Sequence, residues 1–155
     1  MSNPTIRYIP FDPMESQLPQ IKALVEGDLS EPYSIFCYRY FLHSFPQLCH
    51  VACDGDRVVG VVIGRIITHR DRLRGYIGML AVHRDYRRCG IALELVSRII
   101  ASLKSEKVDE IVLEAEQSNT AALNLYRKFG FIRDKLLVNY YLNGSNAFRL
   151  KLFLR

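Results

Sequence analysis

The sequence predicts an α+β fold: one mixed, mostly antiparallel sheet of seven strands, with about four helices shared between its two faces. Three observations carry this. Seven short segments have strand-like apolar patterning, four have helical spacing, and one strand-helix-strand-helix unit sits among segments that otherwise pair as hairpins. The 155 residues, 49% hydrophobic, suffice for one core, so a single domain over residues 1–155 is expected, with no linker or repeat.

Taken in order, Ile6 to Ile9 reads as a first short strand, and Leu18, Ile21, Leu24 and Val25 then follow helical spacing. A second helix is predicted to begin at Ser30, a capping residue, with Glu31 at the positive end of the dipole and Pro32 in the first turn. Its apolar face would carry Tyr33, Phe36, Cys37, Tyr40 and Phe41. LCHVAC and RVVGVVIGRIIT flank Asp54-Gly55-Asp56, a hairpin signature, and a basic loop, HRDRLR, separates them from the strand GYIGMLAV. Ala92, Leu95, Val96, Ile99, Ile100 and Leu103 keep helical spacing for three turns. Glu110 to Glu116 alternates Ile111, Leu113 and Ala115 against Val112, Glu114 and Glu116, as a strand does. Ala122, Leu125, Tyr126 and Phe129 mark a short helix that Gly130 ends, and IRDKLLVNYYL, NGSN and AFRLKLFLR close the chain as a hairpin.

Composition narrows the function. The longest apolar run, Val58 to Ile67, is broken by Arg65 and is about half of the roughly 20 residues a membrane-spanning helix needs, so it reads as a buried strand. The first residues lack the basic, apolar and small-residue blocks of a secretory signal, which makes a cytoplasmic protein the expectation. Cys37, Cys49, Cys53 and Cys89 form no CxxC pair and have no histidine at zinc-finger spacing, so no metal site is expected; Cys49 and Cys53 are too far apart along a strand for a disulfide. A net charge of +5 points to an acidic partner, and many of the basic residues lie between His69 and Arg88.

The chemistry begins at YRRCGIA, Tyr86 to Ala92, where a strand gives way to the long helix. A helix N-terminus offers unpaired backbone N–H groups to an anion. Gly90 lets that backbone approach a phosphate, and Arg87 and Arg88 add charge beside it, so the stretch suits a pyrophosphate. The three glycines of a Rossmann loop and the Gly-Lys-Ser/Thr of a P-loop are both missing. What remains, Arg87-x-x-Gly90-x-Ala92, resembles the acetyl-CoA loop of the GCN5-related N-acetyltransferases (GNAT), and LEAEQSNTAALNLYRKFGF resembles their second sequence block. EPYSIFCYRYFLHSFPQL and RDKLLVNYYLNGSNAFRLKLFLR are similar to stretches in the catalytic subunits of NatC-type N-terminal acetyltransferases.

That resemblance implies a peptide α-N-acetyltransferase using acetyl-CoA and no metal. Its substrates would be N-terminal methionines followed by Leu, Ile, Phe or Trp, acetylated by direct attack in a ternary complex. It further implies cofactor contacts at Met79, Leu80, Ala81 and Val82, at Arg87, Arg88, Cys89, Gly90, Ile91 and Ala92, and at Asn119 and Tyr126. Leu29, Ser30, Glu31, Pro32 and Tyr33, with Tyr140 and Tyr141, would cover the first residues of the peptide. Its partners would be nascent protein N-termini at the ribosome, a large scaffold subunit and a small Sm-like subunit, with no membrane. Tyr76 takes the position of a tyrosine that orders a water in related enzymes, and the charged turn Val82 to Tyr86 departs from many of them.

The amine must attack as the free base. An α-amino group is about a tenth neutral at pH 7, whereas a lysine is under about a thousandth, so a terminal amine asks little of the enzyme's base. Glu114, on a central strand, could take the proton, Glu31 is the competing base or ammonium ligand, and Tyr126 could donate a hydrogen bond or proton to the departing thiolate. Two other readings stay open: acetylation of an internal lysine or small amine, and a non-catalytic ribosome- or RNA-binding module. Against the latter, the aromatics fall on helix faces and not among exposed Arg and Lys of a strand.

Overall fold

The computed structural model describes residues 5–11, 17–28 and 33–154. In chain order its elements are β1 (Arg7–Pro10), α1 (Leu18–Asp28), α2 (Ile35–Ser44), β2 (Cys49–Asp54), β3 (Arg57–His69), β4 (Arg72–Val82), α3 (Ile91–Ser105), β5 (Glu110–Glu116), α4 (Thr120–Lys128), β6 (Ile132–Leu137) and β7 (Ala147–Phe153). The strands form one sheet in the order β1-β2-β3-β4-β5-β7-β6. Every pairing is antiparallel except β4 with β5. That parallel pair needs a long crossover, which α3 supplies.

The helices divide between the two faces as expected. Val59, Val62 and Ile111 pack with α3 and with Tyr126 of α4 in one core, whereas Val61, Ile63 and Met79 pack with α1 and α2 in the other. This explains the apolar run of β3: alternate residues feed opposite cores, so neither face can be polar. Cys49 and Cys53 are free and buried in the α1–α2 core.

The spacing of α3 translates directly into contact. Ile91, Leu95, Val96, Ile99, Ile100 and Leu103 are all buried, each contributing roughly 1.5–3 kcal/mol over an exposed position. The sheet receives them over glycines. A methyl on Gly64 would stand 2.7 Å from Ile99 Cδ1, and one on Gly75 would stand 2.8 Å from Leu103 Cδ2.

Three element boundaries differ from the sequence reading; the last hairpin's first strand stops at Leu137, so Tyr140 and Tyr141 fall in the loop before β7. Helix α2 starts at Ile35, and its cap is Ser34, whose side chain accepts from the Cys37 N–H at 3.2 Å. Residues 33 and 34 are not helical, and Ser30, Glu31 and Pro32 lie outside the described residues. The buried stripe also differs from the expected one: Tyr38, Phe41 and Leu42 are buried while Tyr40 is 45% exposed. The expected basic loop of residues 69–74 is a tight turn: β3 runs to His69, β4 begins at Arg72, and Arg70 and Asp71 both take positive φ, 50° and 65°. Two left-handed residues match the twist of a hairpin, and this lets the strands continue past the charged residues.

Candidate functional site

β4 and β5 pair only over Arg74–Tyr76 and Glu110–Val112. Beyond that they part, because β4 bulges. Ile63 faces Met79 and Gly64 faces Ile77, which leaves Gly78 without an opposite residue on β3. Such an extra residue bends its strand and shifts the side-chain alternation by one. Ile77 therefore joins the α3 core and Met79 the α1–α2 core, although they are two residues apart.

The gap opens into two adjoining cavities. One, of about 210 Å³, is lined by β4 and β5 with Asn119, Ala122 and Tyr126 at the α4 end. The other, of about 430 Å³, is lined by Tyr33, Tyr76, Gly78, Glu114, Tyr140 and Tyr141. Tyr33, Gly78, Glu114 and Tyr141 border both. Of the residues singled out in the sequence, the fold brings together Tyr33, Tyr76, Met79, Leu80, Glu114, Asn119, Tyr126, Tyr140 and Tyr141 around this space. Leu29, Ser30, Glu31 and Pro32 lie outside the described residues.

Glu114 is the carboxylate at the join. Its side chain is 9% exposed; Oε1 accepts from Arg149 Nη2 at 3.3 Å, and Oε2 is buried with no hydrogen-bond partner among the described residues. Five tyrosines line the cleft, and in three of them the hydroxyl is held above the usual range. Burial pushes the Tyr76 hydroxyl far above the usual tyrosine range, and the Glu114 charge beside it adds to the effect. Tyr141 is raised by burial and then by Tyr140 and Glu114, and Tyr126 by burial and then by Tyr141. All three stay protonated at neutral pH and act as hydrogen-bond donors. Arg65 lies over the Tyr76 ring at 5.1 Å and over Phe41 at 5.8 Å, which fixes the tyrosine from behind.

The loop between β6 and β7 forms one wall. The Tyr140 and Tyr141 N–H groups both donate to the Ser145 carbonyl, and their rings meet edge-on at 5.1 Å. Asn146 fastens this loop to the turn between β5 and α4 by donating from Nδ2 to Gln117 Oε1 at 3.1 Å, while its carbonyl accepts from the Gln117 N–H at 2.9 Å. Asn119 has a structural duty as well as a place in the cleft, capping α4 by accepting from the Ala122 N–H at 3.1 Å.

Residues 87–92 line neither cavity; there α3 starts after Gly90, which takes φ 76° and has no side-chain cap. Arg87, Arg88, Cys89 and Gly90 are exposed around that opening. Ile91, by contrast, is 1% exposed with its side chain in the core, so it has only backbone to offer a ligand. The turn before the arginines is stapled to the β2–β3 hairpin: the Tyr86 hydroxyl donates to Asp54 Oδ2 at 2.5 Å, and the His83 N–H donates to the Val59 carbonyl at 2.8 Å. The basic stretch between His69 and Arg88 thus divides. Arg72 and Arg74 are held by Glu110 at the far end of β5, whereas Arg87 and Arg88 flank the helix end. Among the described residues, no group of three His, Cys, Asp or Glu could hold a metal, and no helix is long and apolar enough to cross a membrane.

Sequence reasoning missed Gly78, Arg65, Arg149 and the Gln117–Asn146 latch. Strand alternation in AFRLKLF places Arg149 on one face, but only the register with β5 sets it opposite Glu114.

Comparison with known proteins agrees with this geometry. The model of the acetyltransferase (GNAT) family matches residues 18–131. N-alpha-acetyltransferase 30 of Homo sapiens is 50% identical over 152 residues, covering 97% of this chain and 42% of that protein, so the chain spans less than half of that relative's length. N-alpha-acetyltransferase 30 of Schizosaccharomyces pombe is 47% identical over 149 residues, covering 96% of this chain and 98% of that protein. Among solved structures, a chain of the NatC complex bound to Gag peptide and CoA is 48% identical, with a TM-score of 0.95 over 97% of this chain and 99% of that one. The parted strands, the glycine-led start of α3 and these matches have one common reading: the chain belongs to the acetyltransferase (GNAT) family.

Proposed function

We propose that the chain is a NatC-type N-terminal acetyltransferase, moving the acetyl group of acetyl-CoA to the α-amine of peptides that begin with Met and a bulky apolar residue. The observation that carries this is Glu114, a nearly buried carboxylate with one unpartnered oxygen at the junction of the two cavities. The similarity to the NatC chain supports the substrate class, and it also supports assembly with auxiliary subunits.

The residues present fit the cosubstrate. The uncapped start of α3 offers backbone N–H groups to a pyrophosphate, with Arg87 and Arg88 beside it. After Tyr76, β4 has no strand on its β5 side among the described residues, so Met79–Val82 can pair with an extended amide arm there. Acetyl-CoA, when bound, supplies the activated carbonyl.

The tyrosine-lined cavity receives the peptide end, with Tyr33 on one side and Tyr140 and Tyr141 on the other. Glu114 Oε2 takes the amine proton as nitrogen bonds to the carbonyl carbon. Tyr76 donates into the same space and steadies either the amine or a water between it and the carboxylate. As the carbon–sulfur bond breaks, the electron pair stays on sulfur, and the Tyr126 hydroxyl donates a hydrogen bond to it. Full proton transfer from a tyrosine raised this far to an ordinary thiolate, with pKa about 8.5, would run uphill, so the thiolate is protonated from solvent. Each turnover starting from an ammonium releases one proton.

The test is acetyl transfer to a panel of peptides varied at residue two. A Met-Leu peptide is expected to react faster than an internal lysine in an N-terminally blocked peptide. Glu114→Gln should lower kcat about 100-fold, and adding Tyr126→Phe should lower it further. Equal rates on both peptides, or full activity in the double variant, would remove this reading.

A further inference from the structure

We infer that Arg149 is a positioning residue for acetyl transfer, acting through Glu114; the inference rests on Glu114 being the base proposed above. β7 lies between β5 and β6, and its register sets Arg149 directly opposite Glu114 on the same face of the sheet. The guanidinium donates from Nη2 to Oε1 at 3.3 Å, with the two side chains 28% and 9% exposed.

The unpartnered atoms show what this contact does. Arg149 Nε and Glu114 Oε2 are both buried without a hydrogen-bond partner among the described residues, so the pair is joined through one oxygen only. A two-pronged clamp would occupy both carboxylate oxygens. A single-pronged contact holds the carboxylate plane while leaving Oε2 for a proton from the cleft. Arg149 also sets a positive charge directly against the nearly buried carboxylate. Among the described residues, the titratable groups sharing the larger cavity with Glu114 are tyrosines, Tyr33, Tyr76, Tyr140 and Tyr141, and none of them supplies a positive charge. The next cation along β7 on that face, Lys151, is engaged with Glu110 and Asp134. Arg149 is thus the cation in contact with the proposed base.

A double-variant cycle in the full chain tests this, with kcat and both KM values read for a Met-Leu peptide and acetyl-CoA. Arg149→Gln is expected to lower kcat about 10- to 100-fold while the KM for acetyl-CoA stays within about twofold, since a base displaced from its productive geometry loses rate and not cofactor binding. In a Glu114→Gln background, where slow transfer persists because part of the terminal amine is neutral, the same change should cost less than about twofold. Arg149→Lys keeps the charge without the planar fork and should recover part of the rate. It also runs the same cycle should Arg149→Gln fail to fold. A parental kcat in the Arg149 variants, or an equal loss in both backgrounds, overturns the inference, because a merely structural arginine would cost the same with or without Glu114. A parental kcat in Glu114→Gln alone would instead overturn the assignment of the base.

Discussion

Glu110 and Glu114 stand on the same face of β5, four residues apart, and both side chains are nearly buried, at 3% and 9% exposure. Their surroundings differ sharply. Glu110 accepts from Arg72 Nε at 2.7 Å and Arg74 Nε at 3.0 Å, with Lys151 Nζ at 3.6 Å, whereas Glu114 has Arg149 at 3.3 Å and one oxygen without a partner. The cause is where β4 lets go. Arg74 sits beside Glu110 in the paired stretch, which ends at Val112, two residues before Glu114. Inside the pairing, a carboxylate meets the arginines of the neighbouring strand and is neutralised; past it, the same side chain meets a cavity. Strand separation, and not residue type, divides the neutralised carboxylate from the proposed base.

The comparison breaks most visibly if the two carboxylates are exchanged in importance. Glu110→Gln should cost about 3 kcal/mol of stability in urea unfolding, because Arg74, 13% exposed, loses this anion and Lys151, 15% exposed, is left with Asp134. Its kcat should match the parent, the mirror image of Glu114→Gln, which should lose rate while keeping its unfolding midpoint. Parental stability in Glu110→Gln would deny the neutralised carboxylate its role.

A smaller effect is expected in acid. Burial pushes the Glu110 carboxyl up, but the hydrogen bonds from Arg72 and Arg74 and the charge of Lys151 outweigh it and hold the group below its usual range. A depressed carboxylate stabilises fully above its unfolded value, about pH 4.3, and that stability is lost as pH falls through the lower folded value. Thermal unfolding from pH 6 to pH 3 should therefore show an acid loss in the parent that is reduced in Glu110→Gln; identical profiles would count against the clamp. Smallest of all, Arg72→Ala should cost under about 1 kcal/mol by the same unfolding assay, since that arginine is 44% exposed and Arg74 and Lys151 remain. A larger loss would make the exposed arginine an equal member of the clamp.

Most of the fold was legible because its signals are local. The six apolar positions of α3, the alternation of Glu110 to Glu116 and the left-handed Gly130, at φ 97°, each follow from nearest-neighbour chemistry. The start of α2 was not, since Ser30 and Ser34 are both competent caps and packing chooses between them. Nor was the turn at Arg70 and Asp71, where two non-glycine residues hold positive φ while Glu110, far along the chain, ties down the strand beyond. In the site, Asn119 and Tyr126 were singled out through the family resemblance and Glu114 through its place on a central strand, and all three line the cleft. Arg149 depends on register across two strands, and the bulge at Gly78 depends on a mismatch in length between β3 and β4; neither is written in any short stretch.

That bulge makes β4 a strand with two parities. Up to Ile77 the odd-numbered residues point toward α3; from Met79 onward they point toward α1 and α2. A single unmatched glycine thus acts as a phase shifter, letting one strand serve a conventional core below the cleft and a reversed one above it. Without the bulge, a strand of the same length would turn each side chain of Met79–Val82 toward the opposite core, whereas removing Gly78 would close the bulge and leave those side chains in the cores they now fill.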